Sequence, residues 1–234
     1  LADSSWGDPR PPVFLFPGLA SSRLVAWKAK KCIGPDINVQ DNLWLNVQKV
    51  VETLTFDPRC WLDCLKLGPN QTDPEDCRVR PGDGLDAVSV LSPGLFTEKP
   101  TSVYNNLISY ISEAYGYDKN SIIGFPYDWR LSPGKLEERD GFFSSTKARI
   151  EAAVQLNGRP GIVFAHSMGN NCILYFFKWL KLRFPRSWES WLTKHIWTYV
   201  ALAPPLLGAI SPLKSVLTGE PMGLPITERM ARDL

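Results

Sequence analysis

Two short stretches carry residue types that do acyl chemistry when they meet. His166-Ser167-Met168-Gly169 follows the apolar run Pro160-Gly161-Ile162-Val163-Phe164-Ala165 and opens a segment with Cys172, Ile173, Phe176, Phe177 and Leu180 at helical spacing. Strand, serine, helix is the order of a nucleophile elbow. There the serine occupies a sharp, strained turn with its hydroxyl exposed, and small residues two before and two after it let strand and helix approach. Ala165 and Gly169 fill those places; the general pattern has glycine at the first, and alanine adds one tolerated methyl. The bland alternative, Ser167 as an ordinary helix N-cap, gives no role to the strand before it. The second stretch is Val13-Phe14-Leu15-Phe16, which empties into Pro17-Gly18-Leu19-Ala20-Ser21-Ser22. Such a loop can present a bare backbone N–H to a cleft as one oxyanion donor, the residue after the nucleophile giving the other. Leu19 and Met168 are the expected donors. Pro17-Gly18 alone reads as an ordinary turn, and Ser167 is what gives it a role.

The elements that must position these residues read as one domain with excursions, since 234 residues build one sizeable core. Residues 1–22 form an arm, the first strand and the oxyanion loop, with 1–11 extended around Pro9 and Pro11. From 23 to 99 the periodicity fails: Trp27, Trp44 and Trp61 stand among Pro, Asp, Gly and four cysteines. This predicts an irregular insertion held by bridges, with one helix near Leu43 to Leu54, acting as a functional lid. Trp61 and its apolar neighbours are expected at a lipid surface, where an indole has one wet and one apolar side. The alternative is an independent small disulfide module.

Residues 100–210 regain regular structure. Ser102 is expected to cap a helix carrying Leu107, Ile108 and Ile111 and ending at Gly116, followed by a strand over Ser121 to Phe125. In Pro126-Tyr127-Asp128-Trp129-Arg130, Asp128 and Arg130 read as a structural ion pair under a loop rather than as catalytic groups. Phe142 to Leu156 predicts a helix closed by Asn157-Gly158. After the elbow helix come a Trp-rich connection beyond Pro185 and a strand over Ile196 to Leu202, stopped by Pro204-Pro205. Strands alternating with helices predict an α/β fold with a parallel sheet. Residues 211–234 are turn-rich and read as the start of a cap region or a cleavage-site tail.

Composition narrows the partners. A net charge of +2 from 26 basic and 24 acidic residues without runs leaves no footprint for nucleic acid, and no run of eighteen apolar residues exists to span a membrane. The opening Leu1-Ala2-Asp3-Ser4-Ser5 reads as a processed or trimmed product. Cys32, Cys60, Cys64 and Cys77 share a segment with the sequon Asn70-Gln71-Thr72, which matters only in a secretory compartment. They suggest two disulfides, with Cys172 a free helix thiol. Zinc competes, yet the Cys60 to Cys64 spacing has no matching pair to complete four ligands. No cofactor or metal is expected.

Four blocks together resemble one family: Ala165-His166-Ser167-Met168-Gly169, Pro17-Gly18-Leu19, Pro126-Tyr127-Asp128-Trp129-Arg130, and the strand ending in Ala203-Pro204-Pro205-Leu206-Leu207-Gly208. They look like the lecithin:cholesterol acyltransferase family, which includes the lysosomal phospholipase A2 and the phospholipid:diacylglycerol and phospholipid:sterol acyltransferases. The similarity runs over most of residues 12–210. Cys60-Trp61-Leu62-Asp63 and the tail Met222-Gly223-Leu224-Pro225 are most similar to the sterol branch. The resemblance implies an α/β-hydrolase core with a disulfide-stabilised lid after the first strand, Cys32 pairing with Cys60 and Cys64 with Cys77. It implies an acyl chain taken from a glycerophospholipid onto Ser167 and passed to a sterol, another alcohol or water, at a phospholipid membrane or lipoprotein surface. A secreted or lumenal location, lysosome-like or vacuolar, goes with it.

The chemistry also needs a base, which in this fold follows the acid late in the chain. His166 adjoins the nucleophile, where neighbouring side chains point apart, and His195 precedes a core strand at the wrong end of the sheet. The expectation is therefore a second polypeptide, the C-terminal chain of the same precursor, bringing an Asp and a His and completing the sheet. The competing expectation is a catalytically silent lipid-binding or interaction module that lacks a base.

Overall fold

Val13–Phe16 shows no polar alternation, and a strand apolar on both faces belongs inside a covered parallel sheet. In the structure, a computed structural model that describes residues 10–219, this strand β1 is buried at all four positions. Along the chain follow β2 (Leu24–Ala26), β3 (Asn42–Trp44), α1 (Val47–Phe56), α2 (Pro58–Leu65), β4 (Val79–Pro81), α3 (Asp86–Ser89) and α4 (Asn105–Tyr115). Then come β5 (Ile122–Gly124), α5 (Pro133–Asp140), α6 (Phe142–Asn157), β6 (Gly161–His166), α7 (Met168–Arg183), α8 (Trp188–His195), β7 (Ile196–Leu202) and α9 (Ile210–Thr218). The chain divides into two compact units: residues up to Arg23 with Pro81–Pro204, and Leu24–Arg80 with the described residues from Pro205 on.

The first unit is built on a parallel sheet of order β5-β1-β6-β7. Val13 pairs with both Ile122 and Ile162, Phe16 with Ala165, and Ala165 with Ala201, so β1 and β6 end side by side. Phe14, Phe16, Phe125, Phe143 and Phe176 are fully buried around it, with Phe16 stacked on Phe125 at 4.7 Å between ring centres. Burying each phenyl contributes about 1.5–3 kcal/mol. Helix α7 turns Cys172, Ile173, Phe176 and Leu180 inward and places Lys181 and Arg183 in its last turn, where cations complement the dipole. Burial pushes the Cys172 thiol well up, which makes it an inert packing group.

The second unit pairs β2 with β3 antiparallel and with β4 on the other side. Helix α2 starts where the Asp57 carboxylate accepts the Cys60 N–H at 3.2 Å and Pro58 fits the first turn. Cys60 and Cys64, one turn apart on α2, reach Cys32 and Cys77 with Cα separations of 5.9 and 5.3 Å. For loops of this length each bridge removes about 3–4 kcal/mol of unfolded-state entropy.

Several expectations are corrected. Trp61 does not face a surface: its ring is 0% exposed, its Nε1–H donates to the Leu43 carbonyl at 3.2 Å, and it stacks on Trp44 at 6.5 Å. A unit this small needs its large aromatics for a core. The insertion is accordingly ordered as strands and helices rather than irregular, Leu43 lies in β3, and its helix spans Val47–Phe56. The compact unit containing it takes in Leu24–Arg80, and Pro81–Pro204 belong to the sheet-bearing unit. Helix α4 begins after Tyr104 with no side-chain cap, which takes that role from Ser102. The Trp-rich connection holds α8, whose Trp191 and His195 turn inward, and α9 lies where only turns were expected. The expected arm over 1–9 and the Met222-Gly223-Leu224-Pro225 tail lie outside the described residues.

Candidate active site

Ser167 joins β6 to α7 with φ 49° and ψ −124°. A positive φ on a non-glycine residue costs about 1–3 kcal/mol and persists only where the surroundings impose it. The surroundings do so here. The Ser167 N–H donates to the Leu202 carbonyl at 2.9 Å, and the Ser167 carbonyl accepts from the Asn170 N–H at 3.0 Å and from Asn170 Nδ2 at 2.9 Å. Asn170 Nδ2 also donates to the Leu202 carbonyl at 3.2 Å, while the Tyr199 hydroxyl donates to Asn170 Oδ1 at 2.6 Å. Asn170, fully buried, thus ties both sides of the turn to the end of β7.

Close approach explains the small residues. A Cβ at Gly169 would lie 2.6 Å from the Pro17 carbonyl oxygen, and one at Gly18 would lie 3.0 Å from Ser167 Cβ and 3.2 Å from His166 Nδ1. The loop after β1 therefore rests directly against the elbow. It is held from beneath: the Tyr127 hydroxyl donates to the Pro17 carbonyl at 2.9 Å, and the Tyr104 hydroxyl to the Phe16 carbonyl at 2.9 Å. The Tyr127 N–H donates to Ser22 Oγ at 3.2 Å and Trp129 Nε1–H to the Ser22 carbonyl at 3.3 Å. Burial pushes the pKa of both tyrosine hydroxyls up, Tyr104 despite a backbone hydrogen bond that lowers it, so both stay neutral donors. Leu19, 40% exposed, sits at the loop tip, and Met168 begins α7, where first-turn N–H groups have no intrahelical acceptor. Beside them opens a cleft of about 450 Å³ lined by Tyr104, Leu107, Phe164, His166 and Leu202. The arrangement brings Ser167, the loop after β1, the start of α7 and a cleft to one end of the sheet.

Gly18→Ala tests the contact. The added methyl meets Ser167 Cβ at 3.0 Å and the His166 backbone carbonyl at 3.3 Å, which belong to the held turn, so the loop must shift by a few tenths of an ångström. Labelling of Ser167 by a fluorophosphonate is expected to slow by roughly 10- to 100-fold, as misplacing a catalytic group on this scale does, with thermal stability little changed. An unaltered labelling rate would remove the loop from the site.

Asp128 is 0% exposed and accepts from Arg130 Nε at 2.8 Å, Arg130 Nη2 at 2.6 Å and Arg139 Nη2 at 2.8 Å. Burial alone would raise its carboxyl, but the two guanidiniums outweigh it and the net shift is downward. It is a structural anchor, as the sequence suggests for Asp128 and Arg130; Arg139, eleven residues on in α5, is the member that the sequence hides. His195 is buried, its Nδ1 2.7 Å from the Trp191 carbonyl oxygen and its ring stacked on Trp191. The register Gly161↔Ile196 and His166↔Leu202 puts it at the opposite end of the sheet from Ser167, roughly 20 Å away at ~3.3 Å per residue. Among the described residues, no carboxylate or imidazole is hydrogen-bonded to the Ser167 hydroxyl. Clusters of His, Cys, Asp and Glu side chains able to hold a metal ion are likewise absent among the described residues.

Residues 39–234 match the family described as Lecithin:cholesterol acyltransferase. The chain belongs to that family. It is 43% identical over 222 residues to a phospholipid–sterol O-acyltransferase of Arabidopsis thaliana, covering 93% of this chain and 34% of that protein. It is 30% identical over 211 residues to a phospholipid:diacylglycerol acyltransferase of Schizosaccharomyces pombe, covering 89% and 32%. With a lysosomal phospholipase A and acyltransferase of Bos taurus it shares 31% over 241 residues, covering 97% and 55%. The chain thus spans between about a third and about half of these relatives. Family and parallel sheet together make the first unit an α/β-hydrolase core.

Outside that core, Asn70 is exposed in a short turn over Pro69–Gln71. Sequence reading missed Asn170, Tyr199 and Tyr104 as supports of the elbow. Asn170 did carry a signal: it is an amide on the same buried helical stripe as Cys172 and Ile173.

Proposed function

We propose that Ser167 is the nucleophile of an acyl transfer from glycerophospholipid to a sterol, another alcohol or water. The observation that carries this reading is the strained Ser167 turn packed against the Gly18 loop, with the Leu19 and Met168 N–H groups as oxyanion donors. The hydroxyl attacks the ester carbonyl, the two N–H groups take up the developing oxyanion, and the leaving lysophospholipid departs with the proton that the base received. An acceptor hydroxyl then repeats the steps in reverse. The relatives named as sterol, diacylglycerol and phospholipase enzymes support the substrate class and leave the acceptor to be measured.

The acid and the base of this reaction come, in this reading, from polypeptide outside these 234 residues, the C-terminal chain of the same precursor, carrying an Asp and a His. Three observations support it: His195 lies at the far end of the sheet, the outer edge of β7 has no partner strand among the described residues, and the relatives are longer. Two bridges and an exposed Asn70 sequon suit a secreted or lumenal location with glycosylation at Asn70. Incubating the native protein with labelled phospholipid and competing sterol, diacylglycerol and water, and identifying acyl products, tests the reading. A pure assembly that contains an added Asp and His and yet leaves phospholipid intact would favour the silent lipid-binding module.

With Trp61 buried, the lipid-facing role passes to Ile33 and Phe56, 76% and 61% exposed. They are neighbours: the Ile33 N–H donates to Asp57, and Gly34 abuts Phe56. Replacing both by Asp is expected to weaken binding to phosphatidylcholine vesicles by about tenfold or more, from ~1.5–3 kcal/mol per lost apolar side chain. Sedimentation with vesicles measures it, and unchanged binding would place the lipid contact elsewhere.

A further inference from the structure

The first unit contains a second, larger cavity that the acyl chemistry does not use. About 750 Å³ in volume, it lies among the C-terminal half of α6, the end of α7 and α8, within the range of small-molecule sites. Gly158, Arg159 and Pro160, which line it, immediately precede β6, while Ser167 follows the other end of that strand. The two sites are therefore separated by the length of the strand, roughly 20 Å.

Its wall is aromatic: Phe184, Trp188 and Trp191. Each ring already has a partner on one face, Lys147 over Phe184 at 5.1 Å, Lys181 over Trp188 at 5.0 Å and His195 stacked on Trp191 at 4.6 Å. What remains for a ligand is ring edges together with Pro160 and the exposed part of Val154, a surface that suits a flexible alkyl chain better than a flat ring. The single acid among the lining residues, Glu151, is satisfied internally, by Lys147 at 2.6 Å and by the Trp191 Nε1–H at 2.7 Å. Arg159 and Lys194 also line the cavity, are exposed, and have no ion pair or hydrogen bond among the described residues. Lys147 and Glu151 cancel, so the mouth carries two uncompensated positive charges over an apolar floor.

We propose that this cavity binds a monomeric anionic amphiphile, its head between Arg159 and Lys194 and its alkyl body along Phe184, Trp188 and Pro160. The inference is independent of Ser167, because binding is measured without ester turnover. Calorimetric titration of the full protein with decanoate, decyl phosphate and 1-decanol, all below their aggregation concentrations, tests it. Saturable binding of decanoate or decyl phosphate is expected, and which binds tighter identifies the head group. The neutral alcohol should bind at least about tenfold more weakly, the loss expected when charge-assisted contacts are missing. Arg159→Ala with Lys194→Ala should weaken both anions by at least about tenfold and leave the alcohol unchanged. The charge-retaining pair Arg159→Lys and Lys194→Arg should restore binding to within a few-fold. Equal binding of alcohol and anions, wild-type affinity in the double alanine variant, or no saturable anion binding would each overturn the proposal.

Discussion

Ser167→Ala is expected to reduce phospholipid acyl transfer by the native assembly by about 10⁴-fold or more, the loss seen when the nucleophile of such a catalytic set is removed. The variant should fold as well as the parent, because the turn does not depend on the hydroxyl: the backbone is held by Leu202 and Asn170. Alanine keeps the Cβ that packs near Gly18, so the expected signature is lost chemistry with retained vesicle binding and retained thermal transition. Fluorophosphonate labelling gives a second readout that needs less than full turnover, and mass spectrometry should place the label on Ser167 in the parent and nowhere in the variant. Labelling of another serine with Ser167 untouched would end the nucleophile reading. Asn170→Ala is the informative contrast, since it keeps the hydroxyl and removes two of the bonds that impose the strained φ.

These expectations were open to sequence reading because the residues involved are local. Val13–Phe16 is apolar at every position, which only a doubly covered strand explains, and the small residues Ala165 and Gly169 stand at fixed distances from Ser167. Strand and helix periods on either side of Ser167 are local signals that point to a tight strand-to-helix turn. What the sequence hid was non-local. Trp61 among Cys, Asp and Pro resembles a surface aromatic, and its burial depends on Leu43 and Trp44 arriving from β3. Helices α8 and α9 are short and carry Trp, Ser, Thr or Pro, so propensity spoke against them and packing decided. Tyr104 and Tyr127 support the end of β1 and the Pro17-Gly18 loop from 88 and 110 residues away in sequence, a separation over which spacing carries no information. Arg139 joins Asp128 from a separate helix for the same reason.

That ion cluster gives the largest stability effect. Asp128→Asn keeps the shape of the side chain and removes the charge that two guanidiniums surround, Arg130 and Arg139, with side-chain exposures of 6% and 14%. Arg139 also pairs with Asp140 at 2.7 Å, and Arg130 pairs with Asp128 at 2.6 Å. Removing one member of a buried pair costs about 3–5 kcal/mol, because the remaining charge stays desolvated. The loss should appear as a lower denaturation midpoint with an unchanged slope in urea. Replacing Arg130 by Met together with Asp128→Leu should recover part of it, since a matched apolar pair leaves no isolated charge. The pH dependence has a definite sign. The folded-state carboxyl titrates below its unfolded value, about 3.9, so the stabilisation is fully present above that value and is lost as pH falls through the lower folded-state value. The parent should therefore lose stability on acidification below about pH 4, and Asp128→Asn, lacking the group, should show a shallower decline over the same interval. A variant within about 1 kcal/mol of the parent at neutral pH, or an identical acid limb, would mean that the guanidiniums are compensated by other groups and that the loop carrying Tyr127 and Trp129 is held without the ion cluster.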